Sequence, residues 1–357
     1  MPVFRPTASC IRNSFRSSGK RHLILTGSRG GGKTTLLREL FPTPLPGITT
    51  WAEPQKAVWL KENLTGHRER VGIFDGSLPG AEQKMKPCPQ GFHALGVPAI
   101  RRCVDSGSEW ITVDEIGYLE TGCEEYCDAI RRLMESKRLA AVLRKQDTPF
   151  IREILRREDV FVLDLDAPYG KLGCVVMASG LGKRFGGNKL MADFQGEPLI
   201  LRALSATDGI FHRRVVVTRH KDVAELCREK GTKTVLHQLP HRSDTVRLGL
   251  EAVGDVAGCL FLPGDQPLLR RETVAALALA AVNGPESIWR AAFGDTQGSP
   301  VLFPRWTFPE LLTLPEGKGG GFVAKKYPER LGTVSVRDKL ELMDVDSPED
   351  LAHLAER

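Results

Sequence analysis

The feature that most constrains this sequence is a glycine-rich stretch near the N-terminus, GSRGGGKTT, at residues 27–35. It matches the pattern G-x-x-x-x-G-K-[ST] at every fixed position, after the apolar run His22–Thr26 and before a predicted helix. Backbone N–H groups of such a loop surround phosphate groups, and the helix N-terminus adds positive potential. We therefore predict a phosphate-binding loop whose nucleotide contacts come from Gly27, Gly30, Gly31, Gly32, Lys33, Thr34 and Thr35.

The side chains of this loop suit a nucleoside triphosphate. Lys33 would reach the β- and γ-phosphates, and the Thr34 hydroxyl would ligate Mg²⁺. The later stretch WITVDE ends an apolar run in two acids. Asp114 would hold the Mg²⁺ through water, and Glu115 would polarise the attacking water as a catalytic residue. Acids after a strand also cap helices, so this interpretation depends on the pairing with the loop.

A further cation that contacts the γ-phosphate is not fixed by the sequence. Arg144 or Lys145, which follow the predicted strand 139–143, could supply it, and solvated surface charge is the alternative. Together, GSRGGGKTT and ITVDEIGYLE (111–120) resemble the small nucleoside-triphosphatase family first described in thermophiles. The resemblance covers roughly residues 22–165 and implies a RecA-like P-loop fold that hydrolyses nucleoside triphosphates with loose base preference. Where that family often carries Met-Glu after the DEIG motif, this chain has Leu119–Glu120.

A second glycine-rich stretch, MASGLGKRFGGNK, runs from Met177 to Lys189. It lacks the Lys-Thr pair of the first loop and does not fit the G-x-G-x-x-G dinucleotide pattern. It follows a predicted strand, and its Arg184 and Lys189 are spaced to place two cations against a triphosphate. A later strand ends in LPGDQP, which puts Asp265 at the carboxyl end, where α/β sheets bind ligands.

This arrangement suits nucleotidyl transfer, in which an oxygen nucleophile attacks the α-phosphate and pyrophosphate leaves. The protein must align the reactants and neutralise charge, so we expect Lys189 and Arg184 to be catalytic. Asp265 and a second carboxylate would hold Mg²⁺. The C-terminal MDVDSPED offers Asp346 for that role, with Asp344 as the other possibility and a helix N-cap as the alternative role of Asp346.

The segments MASGLGKRFGGNKLMADFQGEPLILRAL, GDQPLL, GSPVLF and DVDSPEDL together resemble the molybdenum cofactor nucleotidyltransferases, over roughly residues 172–355. The loop is more similar to the cytidylyltransferases of that family than to the guanylyltransferases. The resemblance implies that CTP and molybdopterin cofactor are joined with Mg²⁺, and that the acceptor enzyme is a molybdenum hydroxylase apoenzyme. The nucleotide contacts that it implies are Ala178, Ser179, Gly180, Leu181, Gly182, Arg184, Lys189, Ser243, Thr245 and Asp265.

Several alternatives stay open at this point. Asp244 stands beside Thr245 in a region that is Ser-rich in the family, which leaves the choice among CTP, ATP and GTP open. The second half could be a guanylyltransferase or could act on a sugar phosphate or another small molecule. The first half could be a nucleotide-switched module that delivers product to an acceptor enzyme.

Strands and helices alternate along the whole chain, and the pattern restarts at Asp166–Gly173. This predicts an α/β protein of two domains: a disordered basic tail at 1–20, a P-loop nucleoside-triphosphatase domain at 21–168 and a Rossmann-like nucleotidyltransferase domain at 169–357. Residues 47–100 show only weak strand patterns, around Ile48 and Val71–Phe74, and 75–92 is predicted as a loop.

Composition excludes other classes. The chain has 41% hydrophobic and 26% charged residues, and no apolar run is long enough for a membrane span. A net charge of +6 is too small to indicate nucleic acid as the partner. The eight cysteines form no C-x-x-C pair, which favours a reducing cytoplasm. The acid-free, Arg- and Ser-bearing start of the chain also has features of an organellar transit peptide, against which we prefer the tail.

Overall fold

The structure is a computed structural model that describes residues 2–78, 84–182 and 184–356. The chain forms two compact units. One, here called the split unit, consists of Met1–Ser18 together with Tyr169–Arg357; the other, the inserted unit, is Gly19–Pro168. The inserted unit thus interrupts the split unit in the sequence.

The first helix, α1 (Ala8–Ser18), belongs to the split unit and corrects the prediction of a disordered tail at 1–20. Its Cys10, Ile11 and Ser14 are buried. It packs against the helix Arg271–Asn283 and the strand Leu331–Ser335.

The prediction failed because the acid-free composition hid a helical pattern. Residues 10, 11 and 14 recur at the spacing that puts them on one helix face, and that face is buried. Pro2 and Pro6 do not interrupt this helix, because both lie before its first residue. The Asn13 side chain also donates a 2.7 Å hydrogen bond from Nδ2 to the carbonyl of Ser335.

The described part of the inserted unit contains one mixed sheet with helices packed on it. The strands are β1 (His22–Thr26), β2 (Gly47–Glu53), β3 (Ala57–Glu62), β4 (Arg68–Phe74), β5 (Met85–Pro87), β6 (Trp110–Ile116), β7 (Arg138–Leu143) and β8 (Val160–Asp164). The helices are α2 (Lys33–Leu40), α3 (Pro89–Gly91), α4 (Val97–Asp105), α5 (Glu124–Ser136) and α6 (Pro149–Arg156), with a π-helical turn at Phe92–Gly96 and a 3₁₀ turn at Leu119–Gly122.

The strand order of this sheet is β5-β4-β3-β2-β6-β7-β1-β8. The strands β2, β6, β7, β1 and β8 are parallel, whereas β3, β4 and β5 extend the sheet in antiparallel pairing. The parallel part confirms the predicted RecA-like P-loop fold. The antiparallel part was largely missed, because β4 begins with exposed charged residues that obscure the strand pattern. The predicted loop at 75–92 is replaced in part by β5 and α3, and its residues 79–83 lie outside the described ranges.

In the split unit, the strands are β9 (Leu172–Ala178), β10 (Asp193–Phe194), β11 (Glu197–Pro198), β12 (Arg213–Thr218), β13 (Lys233–Leu236), β14 (Gly258–Pro263), β15 (Ile288–Phe293), β16 (Thr296–Pro304) and β17 (Leu331–Ser335). The further helices are α7 (Ile200–Thr207), α8 (Lys221–Glu229), α9 (Arg242–Val253), α10 (Arg271–Asn283), α11 (Phe308–Leu312), α12 (Gly321–Ala324) and α13 (Pro348–Ala355). Short 3₁₀ turns occur at Lys189–Met191, Arg305–Thr307, Pro328–Arg330 and Lys339–Leu342.

The main sheet of the split unit has the order β13-β12-β9-β14-β16-β15-β17, and β10 pairs with β11 in a separate hairpin. The strands β13, β12, β9 and β14 are parallel, as in the predicted Rossmann-like fold. After β9 the chain forms β12 and β13, which lie on one side of β9 in the sheet, and then β14, which pairs with the other side of β9. The strand order therefore reverses between β9 and β14. Their carboxyl ends are therefore where ligands bind in such sheets.

Each unit has its own hydrophobic core. Ile24, Ile111 and Phe92 belong to the buried cluster of the inserted unit. Val175, Phe261 and Phe303 belong to that of the split unit. Over the residues that the structure describes, no helix has both the length and the apolar character needed to span a membrane.

Candidate active sites

The first site lies where β1 ends and α2 begins. All five residues of β1 are buried, which fixes the start of the loop at the carboxyl edge of the sheet. Gly32 has a φ of 84° and stands immediately before α2. Since this φ is costly for residues with a Cβ, the glycine is required for the chain to enter the helix. The predicted residues Gly27, Gly30 and Gly31 lie in the same turn, and Thr35 is exposed in the first turn of α2.

Lys33 folds back over the loop. Its Nζ donates hydrogen bonds to the carbonyls of Gly27 and Ser28, each at 2.8 Å. Burial lowers the pKa of Lys33, with Asp166 opposing that effect. The ammonium group is therefore held at the rim of the loop that the sequence assigns to phosphate.

Thr34 and Asp114 lie together, as a P-loop site for Mg²⁺ requires. The Thr34 hydroxyl donates to Oδ1 of Asp114 at 3.1 Å, across a separation of 80 residues in the chain. Burial raises the pKa of Asp114 above its usual range. The donor set fits Mg²⁺, which is held in proteins by one or two carboxylate or hydroxyl oxygens while phosphates and water complete the shell.

Glu115 occupies an irregular position at the end of β6. The pairing of β6 with β7 shifts register between Asp114 and Ile116, which is a β-bulge, and Glu115 has a φ of 89°. Bulges and positive φ at a non-glycine residue occur where a side chain must be re-aimed. Here the carboxylate of Glu115 forms an ion pair with the guanidinium of Arg144.

The carboxylates of Asp164 and Asp166, which were not among the site residues predicted from the sequence, anchor the P-loop and the candidate cation Lys145. Asp166 accepts hydrogen bonds from the backbone N–H and the hydroxyl of Ser28 at 2.9 and 2.8 Å. Lys145 forms ion pairs with Asp164 at 2.8 Å and with Asp166 at 2.9 Å. These contacts, the Lys145 pair first, lower the pKa of Asp166 to about 2. The available signal was the alternation of acids in DLDA at the end of β8, which we interpreted only as a domain boundary.

The second site begins at the carboxyl end of β9. Ala178 is the last strand residue, and Gly180 and Leu181 are exposed in the loop that follows. Gly182 has a φ of 58°, and a Cβ there would lie 2.3 Å from the carbonyl oxygen of Gly187. Only glycine allows the loop to fold back on itself at this point.

Polar side chains from the segments that follow β12 and β13 fix this loop. The Ser179 hydroxyl and the Nε2 of His237 are 2.8 Å apart. Arg219 donates from Nε and Nη2 to the Ser179 carbonyl at 3.0 and 2.9 Å, and His220 Nε2 lies 2.8 Å from the Gly180 carbonyl. Sequence reasoning missed Arg219, His220 and His237, because their role depends on β12 lying beside β9.

Lys189 is the centre of a charged cluster. It is 8% exposed, and its Nζ lies 2.6 Å from Oδ2 of Asp265 and 3.3 Å from Oδ1 of Asp346. Arg184 reaches the other oxygen of Asp346 at 2.8 Å. Burial lowers the pKa of Lys189, but the ion pairs outweigh burial and the pKa is raised. The structure thus brings together the four residues Arg184, Lys189, Asp265 and Asp346.

The two candidate carboxylates of the C-terminal segment differ in their surroundings. Asp346 faces the two cations, and Ser347, not Asp346, is the N-cap of α13. Desolvation and then the charge of Asp265 raise the pKa of Asp344 to about 6.

The carboxylate pair Asp265 and Asp346 converges on one buried cation, which is a donor set that fits Mg²⁺ with substrate phosphates. Within the described ranges, however, no cluster of three or more His, Cys, Asp or Glu side chains could by itself hold a metal ion.

Ser243 and Thr245 are buried in the first turn of α9. The carboxylate of Asp244 accepts the backbone N–H of His241 at 3.0 Å and so caps this helix. The helix packs closely on β9, because a Cβ at Gly249 would lie 2.5 Å from Val175. Asp244 therefore has a structural role that accounts for its presence beside Thr245.

Known proteins resemble each unit separately. Residues 174–331 match the family model of the MobA-like NTP transferase domain, and residues 69–168 match that of the NTPase family. Nucleoside-triphosphatase THEP1 of Thermotoga maritima is 26% identical over 150 residues, which cover 40% of this chain and 86% of that protein.

Two further similarities are to a cytidylyltransferase and to a solved structure. The 3-deoxy-manno-octulosonate cytidylyltransferase of Chlorobium phaeovibrioides is 35% identical over 92 residues, which cover 24% of this chain and 36% of that protein. The crystal structure of Rv0371c from Mycobacterium tuberculosis H37Rv superposes with a TM-score of 0.47 at 22% identity, over 52% of this chain and 99% of that one. Both resemblances predicted from the sequence are confirmed by the family models: the chain carries a MobA-like NTP transferase domain that follows a THEP1-like NTPase domain.

Proposed function

We propose that the split unit joins CMP from CTP to molybdopterin cofactor and releases pyrophosphate. The observation that carries this proposal is the convergence of Lys189, Asp265 and Asp346 at the carboxyl ends of β9 and β14. Such a cluster suits a nucleotide whose α-phosphate is attacked. The similarity to a cytidylyltransferase supports CTP as the donor.

The chemistry of transfer follows from these groups. A phosphate oxygen of the acceptor attacks the α-phosphorus of CTP, and the bond from that phosphorus to the α,β-bridging oxygen breaks. Mg²⁺, held by Asp265 and Asp346, would supply positive charge for the phosphates. Lys189 and Arg184, released from these carboxylates, would then neutralise the charge of the leaving pyrophosphate. The loop 178–182, fixed by Arg219 and His220, orients the nucleotide.

The inserted unit, in our proposal, hydrolyses nucleoside triphosphates such as ATP or GTP. Thr34 and Asp114 would hold Mg²⁺, the latter through water, and Lys33 would bind the β- and γ-phosphates. We propose that this hydrolysis drives delivery of the dinucleotide cofactor to a molybdenum hydroxylase apoenzyme.

A sugar acid is a second candidate for the acceptor of CMP. The relative that is 35% identical over 92 residues is named for a sugar acid, so CMP transfer to a sugar acid is the alternative for the split unit. The geometry of Lys189 and Asp265 serves both acceptors equally, since it concerns the nucleotide.

The experiment is to incubate the full chain and Mg²⁺ with labelled CTP or labelled GTP and either molybdopterin cofactor or 3-deoxy-manno-octulosonate. We expect pyrophosphate and a CMP-linked product with the molybdopterin cofactor alone, and no product from the Lys189→Ala variant. Product formed only with the sugar acid would assign the alternative acceptor. Product formed only with GTP would show that the base assignment is wrong.

A further inference from the structure

The inserted unit holds its catalytic carboxylate in an ion pair that the hydrolysis reaction cannot use. Glu115 is aimed by the bulge of β6 and pairs with Arg144, the first residue after β7. While this pair holds, the Glu115 carboxylate is engaged by the guanidinium and is not available to accept a hydrogen bond from an attacking water molecule.

Arg144 is placed at the mouth of the phosphate loop by the sheet. β7 lies between β1, which leads into the loop, and β6, which carries Asp114 and Glu115. The backbone N–H of Arg144 donates to the carbonyl of Ile116 at 2.8 Å, which fixes its Cα beside β6. Its side chain remains about one third exposed.

Gly117 provides the space that the Arg144 side chain occupies. A Cβ at this position would lie 3.0 Å from Cδ of Arg144 and 2.9 Å from Oε1 of Gln146. The Arg144 side chain therefore packs directly against Gly117, next to the acidic end of β6.

A second guanidinium, that of Arg29, belongs to the phosphate loop itself. Burial and then the positive charge of Arg29 lower the pKa of Arg144. Two like charges near one point are stabilised when an anion is placed between them. Lys145, the other cation that the sequence offered, is held by Asp164 and Asp166 on the side of Ser28.

We propose that Arg144 is a catalytic residue that leaves Glu115 to bind the γ-phosphate, so that the Glu115–Arg144 pair is a latch opened by a triphosphate and not by a diphosphate. This inference rests on the proposed hydrolysis by the inserted unit. Once the latch is open, the oxygen of a water molecule attacks the γ-phosphorus and Glu115 accepts the water proton. The bond to the β,γ-bridging oxygen breaks, and inorganic phosphate and nucleoside diphosphate leave, while Arg144 stabilises the charge on the transferred group.

The test compares binding of AMPPNP and ADP to the full chain by calorimetry, counting only binding that Lys33→Ala removes. In Arg144→Ala we expect AMPPNP affinity to fall about tenfold and turnover of ATP to fall at least ~10²-fold. ADP affinity should stay within about twofold of wild type, which also shows that the variant is folded. Arg152→Ala, which removes an exposed pair with Asp147, is the matched control and should change neither.

The decisive variant is Glu115→Gln, which abolishes the charge that competes for Arg144. It should bind AMPPNP about fivefold more tightly than wild type with unchanged ADP affinity, although it no longer hydrolyses ATP. The gain should vanish in Glu115→Gln/Arg144→Ala. No gain in Glu115→Gln, or equal loss of AMPPNP and ADP in Arg144→Ala, would overturn the latch alone. A wild-type chain that neither binds nor hydrolyses ATP would overturn the proposed hydrolysis as well.

Discussion

At the scale of single residues, Glu120 shows how burial can make stability depend on pH. It follows the acidic end of β6, is 4% exposed, and its Oε2 accepts the backbone N–H of Gly117 at 2.7 Å. Burial raises its pKa from 4.5 to about 7. Between these values the folded state binds more protons than the unfolded state, so the contribution of Glu120 to stability falls as the pH rises.

We predict that Glu120→Gln makes the inserted unit more stable at alkaline pH. Glutamine keeps an oxygen for the Gly117 N–H but has no charge to bury. The variant should match wild type near pH 4 and exceed it by roughly 3 kcal/mol near pH 8, as the pKa shift requires. Urea unfolding followed by tryptophan fluorescence measures this difference. The exposed Glu69→Gln is the control, and a gain independent of pH would contradict the burial argument.

The choice between the two C-terminal carboxylates is also a residue-scale question. Asp346 faces Lys189 and Arg184, whereas Asp344 is held by Gln266 and has a raised pKa. We predict that Asp346→Asn lowers the rate of pyrophosphate release by ~10²-fold or more, because it removes a carboxylate that would hold Mg²⁺ at the reacting phosphates.

Asp344→Asn is the matched comparison, since asparagine keeps a hydrogen-bonding group for Gln266. It should cost less than about tenfold in the same assay at saturating Mg²⁺. If Asp344→Asn is the more damaging of the two, the metal belongs to Asp344 and our assignment is reversed.

At the scale of elements, the sequence predicted regular strands and helices well and the irregular ones poorly. The strand predicted at 139–143 is β7, and the apolar run His22–Thr26 and the helix predicted after the first loop are β1 and α2. The β-bulge at Glu115 was beyond prediction, because it is defined by the register of β6 against β7, which no local pattern encodes.

The candidate sites show the same division. Residues that share one loop, such as Lys33 with Thr34 or Arg184 with Lys189, could be selected from the local pattern of residue types. Contacts between separate segments could not be predicted. Examples are the hydrogen bonds of Asp166 to Ser28 and of Arg219 to Ser179, and the ion pair of Arg144 with Glu115. Their contacts exist only once the strand order is known.

The helix α1 is the element whose packing is most open to test. Ile11 is fully buried in the split unit, although it precedes the inserted unit in the sequence. We predict that Ile11→Ala lowers the free energy of unfolding of the split unit by about 2–4 kcal/mol, the usual cost of removing a buried side chain. Val3→Ala, at a position 59% exposed, should cost less than about 0.5 kcal/mol. If thermal unfolding shows equally small losses of stability in Ile11→Ala and Val3→Ala, then α1 does not pack against the rest of the split unit.

At the scale of the whole molecule, the chain order is itself informative. The segment before the inserted unit folds with the segment after it. The backbone N–H of Phe4 donates a hydrogen bond to the carbonyl of Gly209 at 2.8 Å, and Cζ of Arg271 lies 4.3 Å from the centroid of the Phe4 ring. In the sequence, the NTPase domain thus lies between two parts of the transferase domain. A split unit prepared without residues 1–18 would lack a buried part of its own structure.

In our proposal the two phosphate loops act on different bonds, which predicts separable activities. Lys33 and Thr34 of the first loop would bind the terminal phosphates, and Lys189 of the second would act on the α-phosphate and pyrophosphate. We predict that Lys189→Ala reduces cytidylyl transfer by ~10²-fold or more and leaves ATP hydrolysis near normal, while Lys33→Ala does the reverse. Parallel assays of pyrophosphate and phosphate release on the full chain measure both, and loss of both activities in either variant would contradict two independent sites.

Lys33→Ala also distinguishes two purposes of the NTPase domain. If hydrolysis drives handover, the variant makes the CMP-linked product from CTP at the wild-type rate but fails to activate a molybdenum hydroxylase apoenzyme. If the domain is a free hydrolase, activation of the apoenzyme proceeds as in wild type and only background hydrolysis is lost. We expect the first result, because both domains belong to one polypeptide and are therefore present in a 1:1 ratio. Handover of a product needs such a fixed ratio, whereas a free hydrolase does not. Adding the purified product to the apoenzyme directly is the control, since it bypasses handover and should activate the enzyme in both cases.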